Sequence, residues 1–359
     1  MSSMTPRQRV LTALRRQEPD RVPRELSFGA FTPALMQRFQ EITGYDDPAE
    51  YWNFEVRAVN FRYPDPLPEH FERLGKLPPG ATVDSWGMGA VPGSLWHFTD
   101  YIHPLASAAT PADIASYPLP DIYAPGCWQH LAAEVASLHS RELAAMGELA
   151  CTIFEQSWYL RGLENLLSDF LLRPELAEVL LDRMTALRCF QAETYARAGV
   201  DILRLGDDVS CQRGMLMSPA TWRRWLKPRL AQVIAAARAI KPDILIFYHS
   251  DGDCRAIVPE LIEIGVDILN PVQPECMDPA EMKRLYGDRL SFWGTVGTQT
   301  TFPFGTPEEM KAVVRERIRT VGRGGGLLLA PTHILEPEVP WENIVAFFEA
   351  IEEYGAYPI

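Results

Sequence analysis

From residue 199 onward, strand candidates alternate with helix candidates, and this alternation constrains the fold more than any other feature of the sequence. The strand candidates are apolar runs at about 201–205, 244–248, 267–270, 290–294 and 326–330. The helix candidates lie at about 219–240, 255–264, 279–286, 307–321 and 341–353. Strands separated by helices pair in parallel through right-handed crossovers. Together with three earlier strand candidates, at 24–28, 81–89 and 149–155, these five units make eight.

Eight such units predict an α/β fold, a (β/α)₈ TIM barrel with an elaborated N-terminal region. Residues 1–359 are expected to form one domain, in which part of 30–125 is an insertion or lid. An open doubly wound sheet is the alternative architecture. Its usual phosphate fingerprint, GxGxxG directly after a strand, is missing, because the glycines at 322–326 precede their strand. These glycines indicate a tight turn from helix to strand instead.

Four helix starts share one local pattern, in which a capping side chain precedes a proline and a Glu or Gln follows three residues after the cap. The pattern occurs at 5–8, 47–50, 278–281 and 306–309. The cap accepts a hydrogen bond from a backbone N–H that has no partner within the helix, and proline has no N–H to leave unpaired. Each of these positions therefore predicts the first turn of a helix.

Charge and composition exclude several classes of function. The formal net charge is −13, which argues against a nucleic-acid surface because phosphate binding needs clustered Lys and Arg. No run of 18 apolar residues predicts a membrane span, and residues 1–16 do not resemble a secretory signal. The six cysteines are scattered without CxxC spacing, which is typical of reduced thiols. We expect a cytoplasmic protein.

Polar side chains follow the predicted strands at their carboxyl ends. They are Glu155, Asp207, Asp208, Gln212, His249, Asp251, Asn270, Gln273, Trp293, Thr295 and His333. In a parallel barrel these strand ends surround one cavity, where chemistry is usually placed. The sequence therefore predicts that side chains far apart along the chain meet in one site.

Several of these residues also have a purely structural explanation. Asp207 or Asp208 could cap a turn or a helix, and Asn270 and Gln273, each followed by a proline, could hold a loop through bonds to its backbone. Trp293 could belong to the core.

His249 and Asp251 follow the apolar strand at 244–248 two positions apart, so both side chains point the same way from its end. Gly252 then allows a tight turn toward the next helix. Two neutral imidazoles and a carboxylate are a standard ligand set for a divalent metal with an open coordination position. With His333 after the last strand, these residues predict a metal site formed by His249, Asp251 and His333.

The sequence around these residues resembles the uroporphyrinogen decarboxylase superfamily. The similar segments are 206–208 (GDD), 212–214 (QRG), 218–219 (SP), 248–252 (YHSDG), 264–274 (IGVDILNPVQP), 292–294 (FWG), 331–333 (PTH) and 339–344 (VPWENI). The likeness is dense from about 199 to 345 and thinner in 1–30 and 80–175. It implies a (β/α)₈ barrel, in agreement with the count of strands and helices.

The resemblance implies one of two chemistries. One branch of the superfamily decarboxylates uroporphyrinogen without metal or cofactor, and it carries an arginine-rich segment after the first strand that resembles RQAGRY. The corresponding segment here, 25–31, has only Arg24 beside it. An acidic, arginine-poor entrance is a poor match for a substrate with eight carboxylates. The other branch consists of zinc-dependent methyltransferases that use a corrinoid protein, and this chain resembles it more closely.

The methyltransferase branch usually carries His-x-Cys-Gly at the end of this strand and a second cysteine near the last strand. Here Asp251 stands where the first cysteine would be, and His333 lies near the expected place of the second. Such a site is harder and richer in oxygen and nitrogen than a zinc–thiolate site, which suits it to polarising a methoxy or hydroxyl oxygen. We therefore expect zinc or another divalent metal at this site.

The leading hypothesis is a methyltransferase that moves a methyl group from a small methoxylated or methylamine-type compound to a corrinoid protein. Glu155, Asp207 and Asp208 are the predicted catalytic residues, with Glu155 a general acid or a fourth ligand. The predicted substrate-binding residues are Gln212, Asn270, Gln273 and Trp293. The chain lacks an Asp-x-His-x-x-Gly motif, so the cobalamin is expected on a partner protein.

Two other functions remain as alternatives. One is a carboxy-lyase of tetrapyrrole metabolism, in which Asp207, Asp208 or Asp251 would stabilise a protonated pyrrole-like intermediate. The other is a non-catalytic barrel that docks a corrinoid protein. A homodimer is a further alternative for the assembly.

Overall fold

The strands form three sheets in the computed structural model, which describes residues 3–27, 31–93 and 99–359. In chain order the strands are β1 Val56–Val59, β2 Thr82–Val83, β3 Gly89–Pro92, β4 Thr99–Ile102, β5 Ala144–Leu149, β6 Ile202–Gly206, β7 Ser210–Cys211, β8 Gly214–Met215, β9 Leu245–His249, β10 Ile268–Asn270, β11 Ser291–Val296 and β12 Leu327–Pro331.

Helices connect the strands throughout the described part of the chain. They are α1 Pro6–Leu14, α2 Pro33–Thr43, α3 Pro48–Tyr51, α4 Pro68–Leu74, α5 Pro111–Ala115, α6 Leu131–Ser140, α7 Phe154–Arg161, α8 Leu163–Leu172, α9 Pro174–Ala198, α10 Pro219–Trp225, α11 Lys227–Ile240, α12 Val258–Glu263, α13 Pro279–Tyr286, α14 Thr301–Phe304, α15 Pro307–Arg317 and α16 Trp341–Tyr354. Short 3₁₀ turns span Pro125–Cys127 and Arg255–Ile257, and a π-helical turn spans Ile318–Gly322.

The main sheet has seven parallel strands in the order β1-β5-β6-β9-β10-β11-β12. The segment around Arg24 lies parallel to β12, where the Glu25 N–H donates to the Leu329 carbonyl and the Leu329 N–H donates to the Pro23 carbonyl. The Arg24 N–H also reaches a carboxylate oxygen of Glu55, just before β1. This segment thus takes the eighth place in the barrel. The predicted α/β barrel of the (β/α)₈ type is confirmed.

Two of the early predictions differ from the structure. Residues 81–89 were expected to form a barrel strand, but β2 and β3 belong to a separate antiparallel sheet with β4. The barrel strand in this part of the chain is instead β1. The strand candidate at 149–155 is also displaced, because β5 ends at Leu149 and α7 begins at Phe154. Residues 28–30, at the end of the first strand candidate, lie outside the described residues.

The inward-facing side chains of the barrel strands form a core of their own, separate from the larger core between the sheet and the helices. Val10 and Leu14 of α1 belong to this inner core. Ser291 at the start of β11 donates to the Leu14 carbonyl (2.8 Å). Helix α1 therefore closes the amino-terminal end of the barrel, and the carboxyl ends of the strands form its open mouth.

The predicted helix starts are all present. Thr5 and Thr306 form complete capping boxes with Gln8 and Glu309. Asp47 and Asp278 accept from the backbone N–H two residues on. No helix in the described part of the chain combines the length and apolar character needed to cross a bilayer.

The pairing of β6 with β9 depends on Gly206. A Cβ atom at this position would lie 2.6 Å from the Cβ of His249 and 2.8 Å from its carbonyl oxygen. Replacing Gly206 by alanine should therefore separate the strands and lower the free energy of unfolding by about 1–3 kcal/mol, as overpacking of a core does. Urea denaturation measures this loss. Gly126→Ala is the matched control, since nothing lies within 4 Å of its added Cβ, and equal stabilities of the two variants would refute the explanation.

Candidate functional site

His249 is the last residue of β9, and hydrogen bonds fix the orientation of its ring. The Asn270 side-chain nitrogen donates to the Trp293 carbonyl (2.8 Å), so the Asn270 oxygen faces His249. That oxygen lies 2.5 Å from His249 Nδ1, which therefore carries the proton and donates. Nε2 lies on the opposite side of the ring. Second hydrogen bonds of this kind orient metal-binding histidines in general.

Two carboxylates face His249 Nε2. The Nε2 atom lies 3.5 Å from an Asp208 oxygen and 3.7 Å from an Asp251 oxygen. One ligand atom from each of the three residues lies within 4.8 Å of the other two. The Asp251 N–H donates to Asp208 (2.7 Å), which holds the two loops together. We refer to Asp208, His249 and Asp251 as the mouth cluster.

The mouth cluster fits a divalent cation. The Nε2 atom of His249 faces two carboxylates, and carboxylates this close repel each other unless a proton or a cation lies among them. The Asp251 Oδ1 atom is buried and accepts no hydrogen bond. Burial raises the pKa of Asp251 to about 6, with His249 opposing the rise and Asp208 adding to it. Oxygen and imidazole donors of this kind suit zinc and harder divalent metals.

Asp207 caps the start of a helix, which was the structural explanation offered for this residue beside a catalytic role. Its carboxylate accepts from the Ile153 N–H (3.0 Å) and the Glu155 N–H (2.9 Å), and so caps the start of α7. Burial raises the pKa of Asp207 to about 6, although these backbone hydrogen bonds lower it. Asp207 thereby fixes the turn that carries Glu155.

Glu155 was expected at a strand end but lies in the first turn of α7. Its carboxyl accepts from the Asp208 N–H (2.9 Å), which places it beside the mouth cluster. Burial, followed by the nearby charges of Asp208 and Asp207, raises the pKa of Glu155 well above its ordinary value. A raised pKa favours the protonated form of this carboxyl, which is the form that can act as an acid.

A cavity of about 300 Å³ opens next to the cluster. Its lining residues are Asp251, Gln273, Thr298, Gln299, His333, Ile334, Glu336 and Val339. Gln273 accepts from the Gly252 N–H (2.6 Å) and thus also holds the turn after β9. His333 lies on the cavity wall with Asp251 but is not part of the mouth cluster. The structure brings Asp208 to the place beside His249 and Asp251 where His333 was expected, and the role of His333 as a ligand stays a prediction.

The other predicted substrate-binding residues lie in different environments. Asn270 supports His249, as described above. Trp293 is buried inside the barrel, where its ring meets Phe247 edge to face at 5.2 Å and its indole N–H donates to Glu25 (2.7 Å). Gln212 is exposed in the turn between β7 and β8.

Sequence reasoning missed two polar residues inside the barrel, Glu25 and Arg204. Both stand within strand candidates, at positions that alternation assigns to the barrel interior, and a charged residue at such a position was the available signal. Asp208, which was predicted as a catalytic residue, lies in the mouth cluster with His249 and Asp251.

Residues 103–354 match the family described as uroporphyrinogen decarboxylase (URO-D). Among curated proteins, a "Methylcobamide:CoM methyltransferase MtaA" of Methanosarcina barkeri is 30% identical over 184 residues, 51% of each chain. A "Uroporphyrinogen decarboxylase" of Coxiella burnetii is 22% identical over 187 residues, 51% of this chain and 49% of the other. The chain thus spans about half the length of the curated relatives it matches.

A solved structure described as "methyltransferase from Methanosarcina mazei" has the same fold. It superposes with a TM-score of 0.66 at 20% identity, covering 98% of this chain and 99% of the other. The similarity extends over nearly the whole of both chains, so the barrel and its N-terminal elaboration belong to one shared architecture.

Asn270 tests the geometry of the mouth cluster. Replacing Asn270 by alanine removes the acceptor that holds the proton on His249 Nδ1, so we expect zinc affinity to fall about 10- to 100-fold. Competition with a chromogenic chelator measures the affinity, and the far-UV circular dichroism should be unchanged. Gln212→Ala, at the exposed turn, should bind zinc as the unmodified protein does. Unchanged affinity in Asn270→Ala would contradict the assigned orientation of His249.

Proposed function

This chain belongs to the uroporphyrinogen decarboxylase family, and we propose that it is a methyltransferase that moves a methyl group from a small methylated oxygen or nitrogen compound to a corrinoid carried by a partner protein. The mouth cluster beside an open cavity is the observation that carries this proposal. The similarity to a methylcobamide:CoM methyltransferase supports the reaction class. The corrinoid and the direction of transfer are part of the proposal.

Asp208, His249 and Asp251 would hold the metal. When bound there, a divalent cation supplies a Lewis acid that polarises the heteroatom carrying the methyl group. Asn270 keeps His249 in the tautomer that presents Nε2. We propose His333, on the wall of the same cavity, as a further residue that would hold the cation.

Glu155 is suited to handle the proton of the reaction. When the bond between the methyl carbon and its heteroatom breaks, the heteroatom keeps the electron pair and needs a proton to leave as a neutral alcohol or amine. The raised pKa of Glu155 favours its protonated form, and the carboxyl lies beside the cluster through its hydrogen bond from the Asp208 N–H. General acid catalysis of this kind typically contributes about 10²- to 10⁴-fold in rate.

The absence of thiolate donors in the mouth cluster favours oxygen and nitrogen substrates over thiols. Hard carboxylate donors leave a bound cation more electrophilic toward oxygen and nitrogen than toward sulfur. Cys254, three residues beyond Asp251, is buried, and burial raises the pKa of its thiol to about 12. The cysteine nearest to Asp251 in the sequence is therefore not poised to supply a thiolate.

The site is poorly suited to uroporphyrinogen, the substrate of the alternative function. Arg24, the single arginine beside the segment that corresponds to the arginine-rich motif, is buried and forms an ion pair with Glu352. Its guanidinium also lies over the Phe348 ring, 5.9 Å from the centroid. The cavity lining contains Asp251 and Glu336 but neither arginine nor lysine among the described residues. A polycarboxylate would meet like charges there.

Metal removal tests the proposed function directly. We expect the purified protein to bind about one equivalent of zinc, cobalt or manganese, measured by elemental analysis after dialysis against each ion. Chelation should abolish methyl transfer from methoxylated or methylamine donors to a reduced corrinoid protein, followed by the absorbance of the corrinoid. Turnover of uroporphyrinogen by the metal-free protein would establish the decarboxylase function instead.

Single substitutions distinguish the residues that bind the metal from other residues that line the cavity. Asp208→Asn and His249→Ala should each lower zinc affinity at least about 100-fold, because each removes a donor rather than its support. His333→Ala should do the same if His333 is a ligand, and should leave zinc affinity intact if it contacts only substrate. Glu155→Gln should retain zinc and lose methyl transfer. Retention of full zinc affinity by Asp208→Asn would remove the basis of the proposal.

A further inference from the structure

Arg188 of α9 binds the turn that connects β5 to α7. The residue is almost completely buried, with 2% of its surface exposed. Its Nε atom donates to the Thr152 carbonyl (2.8 Å), and its Nη2 atom donates to the Cys151 carbonyl (2.9 Å). Two consecutive carbonyls thus accept from the planar fork of one guanidinium, a geometry that arginine provides and lysine does not.

The turn at 151–153 is also bonded to the end of β6, next to the mouth cluster. The Thr152 N–H donates to the Gly206 carbonyl (2.8 Å), and the Thr152 hydroxyl accepts from the Gly206 N–H (2.8 Å). Asp207 accepts from two N–H groups of the same segment, as described above. The turn therefore lies between the buried guanidinium and the residues beside the cluster, among them Glu155.

The backbone of this turn is in a conformation that needs support. Cys151 has a φ of +51°, in the left-handed region that residues with a side chain rarely adopt. Such conformations persist where the surrounding structure holds them, and they cluster at functional sites. The hydrogen bond from Arg188 to the Cys151 carbonyl is a contact that holds this one.

The same guanidinium contacts the N-terminal elaboration of the barrel. Its Nη1 atom donates to the Tyr63 hydroxyl oxygen (3.2 Å) and to the Gln191 side-chain oxygen (2.8 Å), and the Gln191 amide donates to the same hydroxyl (2.8 Å). Arg188 also lies over the ring of Trp86, 5.0 Å from the centroid. These partners are all neutral, and burying a charge among neutral groups is costly. The position of Arg188 therefore calls for a functional explanation.

We propose that Arg188 is a positioning residue that couples the N-terminal elaboration to the turn that carries Glu155. The catalytic part of this inference rests on the proposed function, in which Glu155 supplies a proton. Tyr63 and Trp86 hold the guanidinium, the guanidinium holds the carbonyls of the turn, and the turn holds Glu155 beside the mouth cluster. Misplacing a reacting group by about 1 Å can cost about 10²-fold in rate.

Hydrogen exchange tests the coupling without any methyl transfer, because it reports on the N–H groups of the turn. In Arg188→Met, peptides that span 151–155 should exchange at least about tenfold faster than in the unmodified protein, because hydrogen bonds from a charged donor are lost. Mass spectrometry measures the exchange. Arg188→Lys keeps the charge without the fork and should behave as Arg188→Met does. Tyr63→Phe removes only a hydroxyl and should cause a smaller increase in the same peptides.

Arg183→Met is the matched control. Arg183 also lies on α9, and its guanidinium also donates to two carbonyls, those of Ile114 and Tyr117. Its loss should leave hydrogen exchange at 151–155 unchanged, because none of these contacts involves the turn.

The kinetics of methyl transfer test the catalytic part. Arg188→Met should lower kcat about 10- to 100-fold and leave KM and zinc affinity unchanged, because the acid is displaced while the mouth cluster remains. A general loss of structure would lower zinc affinity as well. Adding Tyr63→Phe to Arg188→Met should lower kcat no further, because the hydroxyl acts through the guanidinium.

Several outcomes would overturn the inference. Unchanged exchange at 151–155 in Arg188→Met, or full restoration by Arg188→Lys, would refute the structural coupling. If Arg188→Met does not fold, Tyr63→Phe decides, and unchanged exchange in that variant would refute it equally. If exchange rises as expected but no donor supports methyl transfer, the coupling stands and the proposed function fails. If methyl transfer proceeds with an unchanged kcat in Arg188→Met, the proposed function stands and the positioning role is refuted.

Discussion

The register between β6 and β9 is the constraint on which the candidate site depends. Gly206 pairs with His249, and two residues farther along each strand Asp208 and Asp251 come side by side. The absence of a side chain at Gly206 permits this approach. Parallel pairing repeats with a period of two, so a shift by one residue would turn His249 away from the barrel interior. One backbone alignment thus determines all three members of the mouth cluster.

The second half of the fold could be predicted from sequence because its signals are strong and local. Strands such as β9 and β12 are fully buried and mostly apolar along their length, as expected of strands buried on both faces. The prediction for the first half of the chain was wrong where these sequence signals are weaker. β1 has only four residues and includes Arg57, whose guanidinium bonds to backbone carbonyls beside the strand. Short strands with a charged residue are not distinguished from helix ends by pattern alone.

The sequence predicted where the candidate site lies, but not all of the residues that form it. Placing polar residues at the carboxyl ends of parallel strands correctly brought His249 and Asp251 together. The order of ligands around a cation depends on register and on loop conformation, which the sequence does not encode locally. Strand register brings Asp208 to the cluster, whereas the position of His333 depends on the conformation of the loop after β12. The hydrogen bond from His249 to Asn270 that selects the histidine tautomer is likewise a long-range contact.

Helix α1 plugs one end of the barrel with Val10 and Leu14, and this has a kinetic consequence. A cavity with a single entrance makes every molecule that enters or leaves use the same passage. A bulky carrier seated over that passage would trap whatever lies beneath it. Under the proposed function, the small donor would bind before the carrier and the demethylated product would leave after it, so turnover would follow a compulsory order.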